Sequence, residues 1–567
     1  MPVLNSESYF SELPKLNTER SIFHMPFEHK TSFDVGQVIP LACVEVLPGD
    51  TFKVKTSIVA RLQTLLTPIM DNVNLELSAW FVPMAQIFDK TKQFFGENTE
   101  GPWTMDKIKY RIPYLQYPDD EYTSPENPGW QEGTLADYMG VPLKVNLNTV
   151  PGVSDANFPS VLPFRGYAKI INEFWRDQNL QQPVVIHTDE VIRKGSNGDN
   201  YITDLELGGK PFIAARYHDM FSSSLPAPQK SESVSIFGNF INEATYAPVG
   251  TLSSNHSAFT DTIVGTSYYV NSVGSRTLSQ VDPSGTAAFG TALTTQVSYP
   301  QNLYANLNVP EATITQLRLA FQLQRYFERS AVSGTRYREY IQEFFGCSNG
   351  DLRMFVPEYL GGKRIPLSIH QVANTAQSDG ADLGDLGAMS NTSDVDDLFY
   401  HSFTEFGYLY VLGVVRFPNT YSQGLEKMWS RREPLEFYNP VFARLGQLPI
   451  YKRQIFLEGT NADAANHADE VWGYNEAWCE YRQIPSRVSS SMRPESAQSL
   501  ASWHLADDYS ETPYLGEEWL KTNKGTVDRV LAYTSDVVNQ VFCDFYMDIE
   551  ATRPMPVHSV PGLADHF

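Results

Sequence analysis

The sequence predicts a mainly β protein, a sandwich whose first and last strands meet and whose strands are separated by long insertions. Period-two alternation is strongest early in the chain, β-branched and aromatic runs return late, and helical periodicity is confined to a few stretches between them. From Phe52 to Leu62, Phe52, Val54, Ile58, Ala60 and Leu62 share one face while Lys53, Lys55, Ser57 and Arg61 share the other. A half-buried strand reads this way because successive side chains point to opposite sides. A second strand follows at once. Val73, Leu75, Leu77, Ala79 and Phe81 alternate with Asn74, Glu76 and Ser78, until Trp80 breaks the polar side and Pro83 ends the run. Late in the chain, Tyr408 to Phe417 and Val527 to Ile549 are again strand-like, bounded by Gly, Asp, Asn or Pro.

Helices are fewer. Arg165 to Asn179 sets Tyr167, Ile171, Phe174 and Trp175 on one stripe, and Pro310 opens a run carrying Ile314, Leu317, Phe321 and Tyr326. After Gly334, Tyr337, Tyr340, Ile341, Phe344 and Phe345 recur at spacings of three and four until Gly346 supplies a stop. No fixed repeat period runs through the chain, which disfavours solenoids and propellers.

Between Ser231 and Pro300 the chain almost stops being charged. Of those 70 residues 32 are Ser, Thr, Gly or Asn, and only Glu232, Glu243, Asp261, Arg276 and Asp282 are ionic. Segments this long inside a compact body are uncommon unless they bind something or are disordered. Eight aromatics, among them Phe259, Tyr268, Tyr269 and Phe289, make this one stickier than a Gly/Ser linker. It reads as a folded, strand-bearing protrusion.

Composition narrows the function. No Pro-rich, Gly/Ser-rich or charge-run linker divides the 567 residues, so one large body with insertions is expected instead of several domains. Its 33 Phe, 30 Tyr and 9 Trp supply a sizeable core, and 36 Gly with 36 Pro imply many turns. A formal charge of −23 argues against this chain alone wrapping nucleic acid, since phosphate binding needs clustered Lys and Arg; a basic partner would be required. Cys43, Cys347, Cys479 and Cys543 are scattered, with neither zinc-site spacing nor a disulfide framework, as suits a reducing compartment. The first twenty residues lack a basic stretch followed by an apolar core, and the longest apolar run, Phe406 to Val415, ends after ten residues. Neither a signal peptide nor a membrane span is expected, and the sequons at Asn255 and Asn391 carry little weight.

Motifs for chemistry are sparse. His24, Glu28 and His29 miss the zincin spacing and have Pro26 among them. Gly361, Gly362 and Lys363 end like a phosphate loop, but Pro357 stands where its first Gly belongs, so a turn is expected. The acidic groups Asp119-Asp120-Glu121 and Glu517-Glu518 offer the carboxyls a glycosidase needs, at a spacing that sequence cannot supply. Acidic neighbours of this kind are ordinarily solvated. The basic pairs Arg431-Arg432 and Lys452-Arg453 are candidates to face phosphate. No metal, cofactor or catalytic residue is expected.

Longer motifs are specific enough to compare with a family. Gly473-Tyr474-Asn475-Glu476-Ala477-Trp478, Glu480-Tyr481-Arg482, Trp503-His504-Leu505-Ala506, Thr552-Arg553-Pro554-Met555-Pro556 and the last seven residues, Pro561 to Phe567, resemble gokushovirus major capsid proteins of the microvirus group. Val46 to Phe52, Pro68 to Asn72, Phe81-Val82-Pro83 and Asn172 to Asn179 look like the same family's first strands and central helix. The resemblance runs from about His29 to the end and skips 231–300, which fits a variable insertion.

The resemblance implies one eight-stranded antiparallel viral jelly roll with large interstrand insertions, spanning the whole chain. It implies about sixty copies in a T=1 icosahedral shell around circular single-stranded DNA. Partners implied are a small basic DNA-packaging protein, a pilot or minor capsid protein, an internal scaffolding protein and a host surface receptor. Such a chain is assembled in the bacterial cytoplasm and resides in the virion, with no membrane insertion. In that setting residues 231–300 would form threefold protrusions, with Asn255, His256, Phe259, Tyr268, Tyr269 and Asn271 as host-binding candidates. Arg431, Arg432, Lys452 and Arg453 would face nucleic acid, and His566 and Phe567 would sit at a subunit interface or else dock within their own subunit. The alternative is a carbohydrate-binding or carbohydrate-cleaving β-sandwich, with Tyr268 and Tyr269 stacking on sugars.

Overall fold

The computed structural model describes residues 19–98, 109–231, six short strands within 249–305, and residues 314–347, 355–375, 384, 386–457 and 468–559. The chain divides into two compact units, one of residues 1–228 with 331–567 and one of residues 229–330.

In the first unit eight strands form two four-stranded antiparallel sheets. They are β1 (Ser21–Phe33), β2 (Ile39–Val46), β3 (Thr51–Leu62), β4 (Asn74–Pro83), β5 (Glu358–Pro366), β6 (Thr392–Ser402), β7 (Gly407–Arg416) and β8 (Val541–Arg553). One sheet runs β1-β8-β3-β6 and the other β5-β4-β7-β2, so the chain changes sheets at every step except β4 to β5. This interleaving is that of a jelly-roll sandwich. Early and late strands do meet: β1 pairs with β8 from Ser21 opposite Arg553 to Phe33 opposite Val541.

The alternation read from the sequence becomes the core. Phe52, Val54, Ile58, Ala60 and Leu62 of β3 and Val541, Phe545, Met547 and Ile549 of β8 point into the space between the sheets, against Leu75, Leu77, Ala79 and Phe81 of β4. The central strands of the second sheet, β4 and β7, are covered on both faces. Trp80 and Val82 of β4 and Tyr410, Leu412 and Val414 of β7 turn away from the sandwich into a second apolar cluster, built by the insertion that follows β4. That insertion contributes α1 (Leu162–Ile170), continued by one π turn, Ile171–Trp175. Its side chains are pinned to the sheet by donors that would otherwise be stranded: Tyr410 Oη donates to the Pro163 carbonyl at 2.7 Å and Tyr167 Oη to that of Val38 at 2.6 Å. Trp80, the apparent break in alternation, packs on Phe174 with ring centroids 4.2 Å apart.

The outer face of the first sheet, by contrast, carries alternating charge. Across it His24, Glu550, Lys53 and Tyr400 lie side by side, and next to them Pro26, Asp548, Lys55 and Asp397. A third cluster forms in the insertion between β7 and β8, where Tyr421, Ile450, Ile455, Trp472 and Trp519 pack with Met220 and Phe221.

Two sequence expectations are corrected. The stretch Gly361 to Lys363 is interior to β5, following a bulge between Tyr359 and Gly361. Glycine is needed there because a Cβ at Gly361 would meet the Leu398 carbonyl oxygen at 2.7 Å, and one at Gly362 that of Leu77 at 2.6 Å. The run Val527 to Ile549 is not one strand: Val527 lies in the short helix Lys524–Asp528, and β8 starts only at Val541. Here Val527, Val530 and Leu531 are buried as the end of an insertion, so apolar content alone misled the reading.

In the second unit, Val249–Thr251 pairs with Leu303–Ala305, and a four-stranded antiparallel sheet runs in the order Ala287–Ala288, Leu278–Val281, Ser267–Val270, Ala258–Thr260. The polar island thus carries strands. Most of α2 (Ile314–Ser333) also lies in this unit; Pro310, expected to open it, is outside the described residues. Beyond it, α3 (Tyr337–Phe345) stops at Gly346, whose φ of 65° makes the left-handed cap.

Candidate functional site

Buried charge in the first unit ties insertions to strands. Glu76 of β4 lies directly opposite Arg364 of β5 and accepts from its Nε at 2.8 Å, from Arg416 Nε at 3.0 Å and from the Tyr217 hydroxyl at 2.8 Å. Burial would raise the Glu76 carboxyl, but the Arg416 guanidinium, with the Tyr217 and Arg364 hydrogen bonds, outweighs it and holds the group below the usual 4.5. Deeper still, Arg216 pairs with Asp507, whose Oδ2 also accepts from the Tyr509 hydroxyl at 2.7 Å, and Tyr509 in turn accepts the Trp519 indole N–H at 3.0 Å. These networks satisfy their own members, and none sets a nucleophile beside a base.

Four of the five carboxylates considered for sugar cleavage already have partners. Asp119 pairs with Lys194 at 3.3 Å, and Asp120 accepts the Asn197 backbone N–H at 2.7 Å. Glu517 and Glu518 share Lys521, at 3.0 and 2.7 Å. His24 and Glu28 project from the outer face of β1, whereas His29 is turned inward, its Nδ1 2.9 Å from the Leu41 carbonyl oxygen. Lys363 contacts Asp394 at 2.6 Å and Asp396 at 2.8 Å. Among the described residues no group of three His, Cys, Asp or Glu could hold a metal ion, and no helix is long and apolar enough to cross a membrane.

The four basic candidates lie in the insertion between β7 and β8. Arg431 is almost buried, pairs with Glu480 at 2.7 Å and lies over the Tyr481 ring at 4.6 Å. Lys452 pairs with Glu470 at 2.5 Å, and Arg453 with Asp469 while covering the Tyr451 ring. Arg432 is exposed and spends its guanidinium on the carbonyls of Trp429 and Arg431, both at 2.9 Å. Any phosphate reaching three of these four would have to displace a carboxylate.

Of the host-binding candidates, Phe259 lies opposite Tyr268 on neighbouring strands of the second unit, and Tyr269 lies opposite Ala258. Asn255, His256 and Asn271, like His566 and Phe567, lie outside the described residues. What sequence reading missed is an outward-facing apolar run in the same insertion as the basic pairs, including Trp429, Leu435, Phe437 and Val441. The signal was available as several large apolar residues spaced by Pro434, Asn439 and Pro440 with neither strand nor helix period.

The family described as "Capsid protein (F protein)" matches residues 11–563. The chain is 36% identical to the capsid protein VP1 of Spiroplasma virus 4, over 99% of each chain. It is 33% identical to VP1 of Chlamydia phage 1, over 98% of this chain and 97% of the relative. It is also 33% identical to VP1 of Bdellovibrio phage phiMH2K, over 99% of each. With a match over nearly its whole length, the chain belongs to the phage capsid protein (F protein) family, as a structural component of the virion and not an enzyme.

Proposed function

We propose that about sixty copies of this chain close into a T=1 icosahedral shell around a circular single-stranded DNA genome. The carrying observation is the near full-length match to capsid proteins by a chain whose sandwich is closed by its own first and last strands. Its insertions are left to meet neighbours, and a closed shell needs several different contacts per subunit.

A net charge of −23, with Arg431, Lys452 and Arg453 already matched by carboxylates, supports a small basic packaging protein as the main counterion for the DNA. Internal scaffolding and pilot proteins complete the partners during assembly in the host cytoplasm. Residues 231–300 are the host-facing insertion, with Phe259, Tyr268 and Tyr269 as its aromatic contacts and a host surface receptor as their target. His566 and Phe567 are assigned to a contact with a neighbouring subunit.

Light scattering and electron micrographs of one purified sample test the reading. Closed particles of about sixty subunits are expected. A monomer or dimer in the presence of the packaging and scaffolding proteins would refute it, and reducing sugar released from polysaccharide would favour the carbohydrate alternative.

A further inference from the structure

The insertion between β7 and β8 displays an apolar surface that the first unit leaves uncovered. Trp429, Leu435, Phe437, Val441, Leu445 and Ile484 are each half or more exposed, and Val441 and Ile484 reach 83% and 84%. One exposed leucine needs no explanation, whereas several together mark an interaction site. These six expose roughly 700 Å² at ~150–250 Å² per large side chain, close to the ~800 Å² that each partner gives to a standard interface.

The surface is rigid without a partner. Asn439 Oδ1 accepts the Val441 N–H at 3.0 Å, Glu436 Oε2 accepts that of Glu433 at 2.9 Å, and Arg431 Nε donates to the Glu436 carbonyl at 3.0 Å. The Trp478 indole N–H holds the Phe442 carbonyl at 3.0 Å. Little ordering entropy is therefore left to lose on binding. Beside it lies a cavity of about 450 Å³ lined in part by Leu435, Phe442, Leu445, Leu448 and Trp478, able to take an apolar side chain.

Charge decides what covers it. Lys427 and Arg431 share Glu480, and Arg487 meets Glu426 at 3.1 Å. Arg432 and Arg444 are exposed on the same run without a carboxylate pair among the described residues, but two such cations give phosphate only a weak hold, whereas the apolar side chains gain most by meeting another apolar protein surface. We propose that it is a contact between copies of this chain, buried in the shell against a second copy. The proposal rests on the capsid reading and names the surface that assembly uses.

The test labels a cysteine introduced by Val441→Cys, with the exposed Cys347 removed by Cys347→Ser, using maleimide on intact particles and on dissociated subunits. Labelling is expected to slow by about tenfold or more in particles, because interface centres exclude water. Equal rates in the two would overturn the assignment while leaving the shell itself established. Protection that disappears in particles assembled without DNA would give the surface to the genome and also overturn it. Val441→Asp supplies a second readout: the subunit's melting temperature should not change, since the side chain is exposed, while the yield of closed particles falls about tenfold or more. Unchanged yield would count against the proposal. If the unsubstituted chain forms no particles, it is the capsid reading that fails.

Discussion

Glu76 shows how a residue on the polar side of a strand becomes a structural hub. In the sequence it alternates with Leu75 and Leu77 as a solvent-facing residue would, but the insertion folds Tyr217 over it, and Arg364 and Arg416 close in from the strands on either side. Such a carboxylate is stabilising only while ionised. Its folded pKa lies below 4.5, so its contribution is complete above the unfolded value and is lost as pH falls through the lowered one. Glu76→Gln is expected to cost about 2 to 4 kcal/mol at neutral pH, because Arg416 is left partly buried without its partner. Urea unfolding of the purified subunit at several pH values should show that deficit shrinking below about pH 4.5, as the unsubstituted chain loses what the variant never had. A constant deficit down to pH 3 would mean that the loss is one of packing and not of charge.

At the scale of elements, the strands that are wet on one face were legible and those buried on both were only partly so. β3 shows clean alternation because its outer side chains Lys53, Lys55 and Arg61 meet solvent. β4 and β7 lie between two apolar clusters, so Trp80, Tyr410 and Leu412 fill positions that period-two reading reserves for polar residues. Glycines 361 and 362 looked like a turn because sequence does not reveal how closely a neighbouring strand will approach. The ion pairs that absorb Arg431 and Lys452 join residues from 18 to 49 positions apart and have no local signature. β8 is the element on which the first sheet depends, since it joins β1 to β3 and buries every second residue. Phe545→Ala, at a fully buried position near its centre, should cost about 3 to 5 kcal/mol through lost burial and the cavity left behind. Denaturant unfolding of the subunit would measure it. A cost near that of a surface substitution would show that the sandwich is not the unit that unfolds.

For the whole molecule, the division into two compact units separates two demands on one chain. Among the described residues, the three apolar clusters of the sandwich and its insertions are built from residues outside 229–330. The polar island carries few charges of its own. Under the proposed assignment of the island to host contact, its removal costs adsorption and leaves the shell. Deleting residues 240–290 is therefore expected to leave closed particles of the same sedimentation rate and the same melting transition. Adsorption to host cells, counted as particles removed from suspension, should fall to the level of a non-host control. Particles that fail to close would mean that the island serves first as a contact between subunits. Particles that close and still adsorb would move receptor recognition to another insertion.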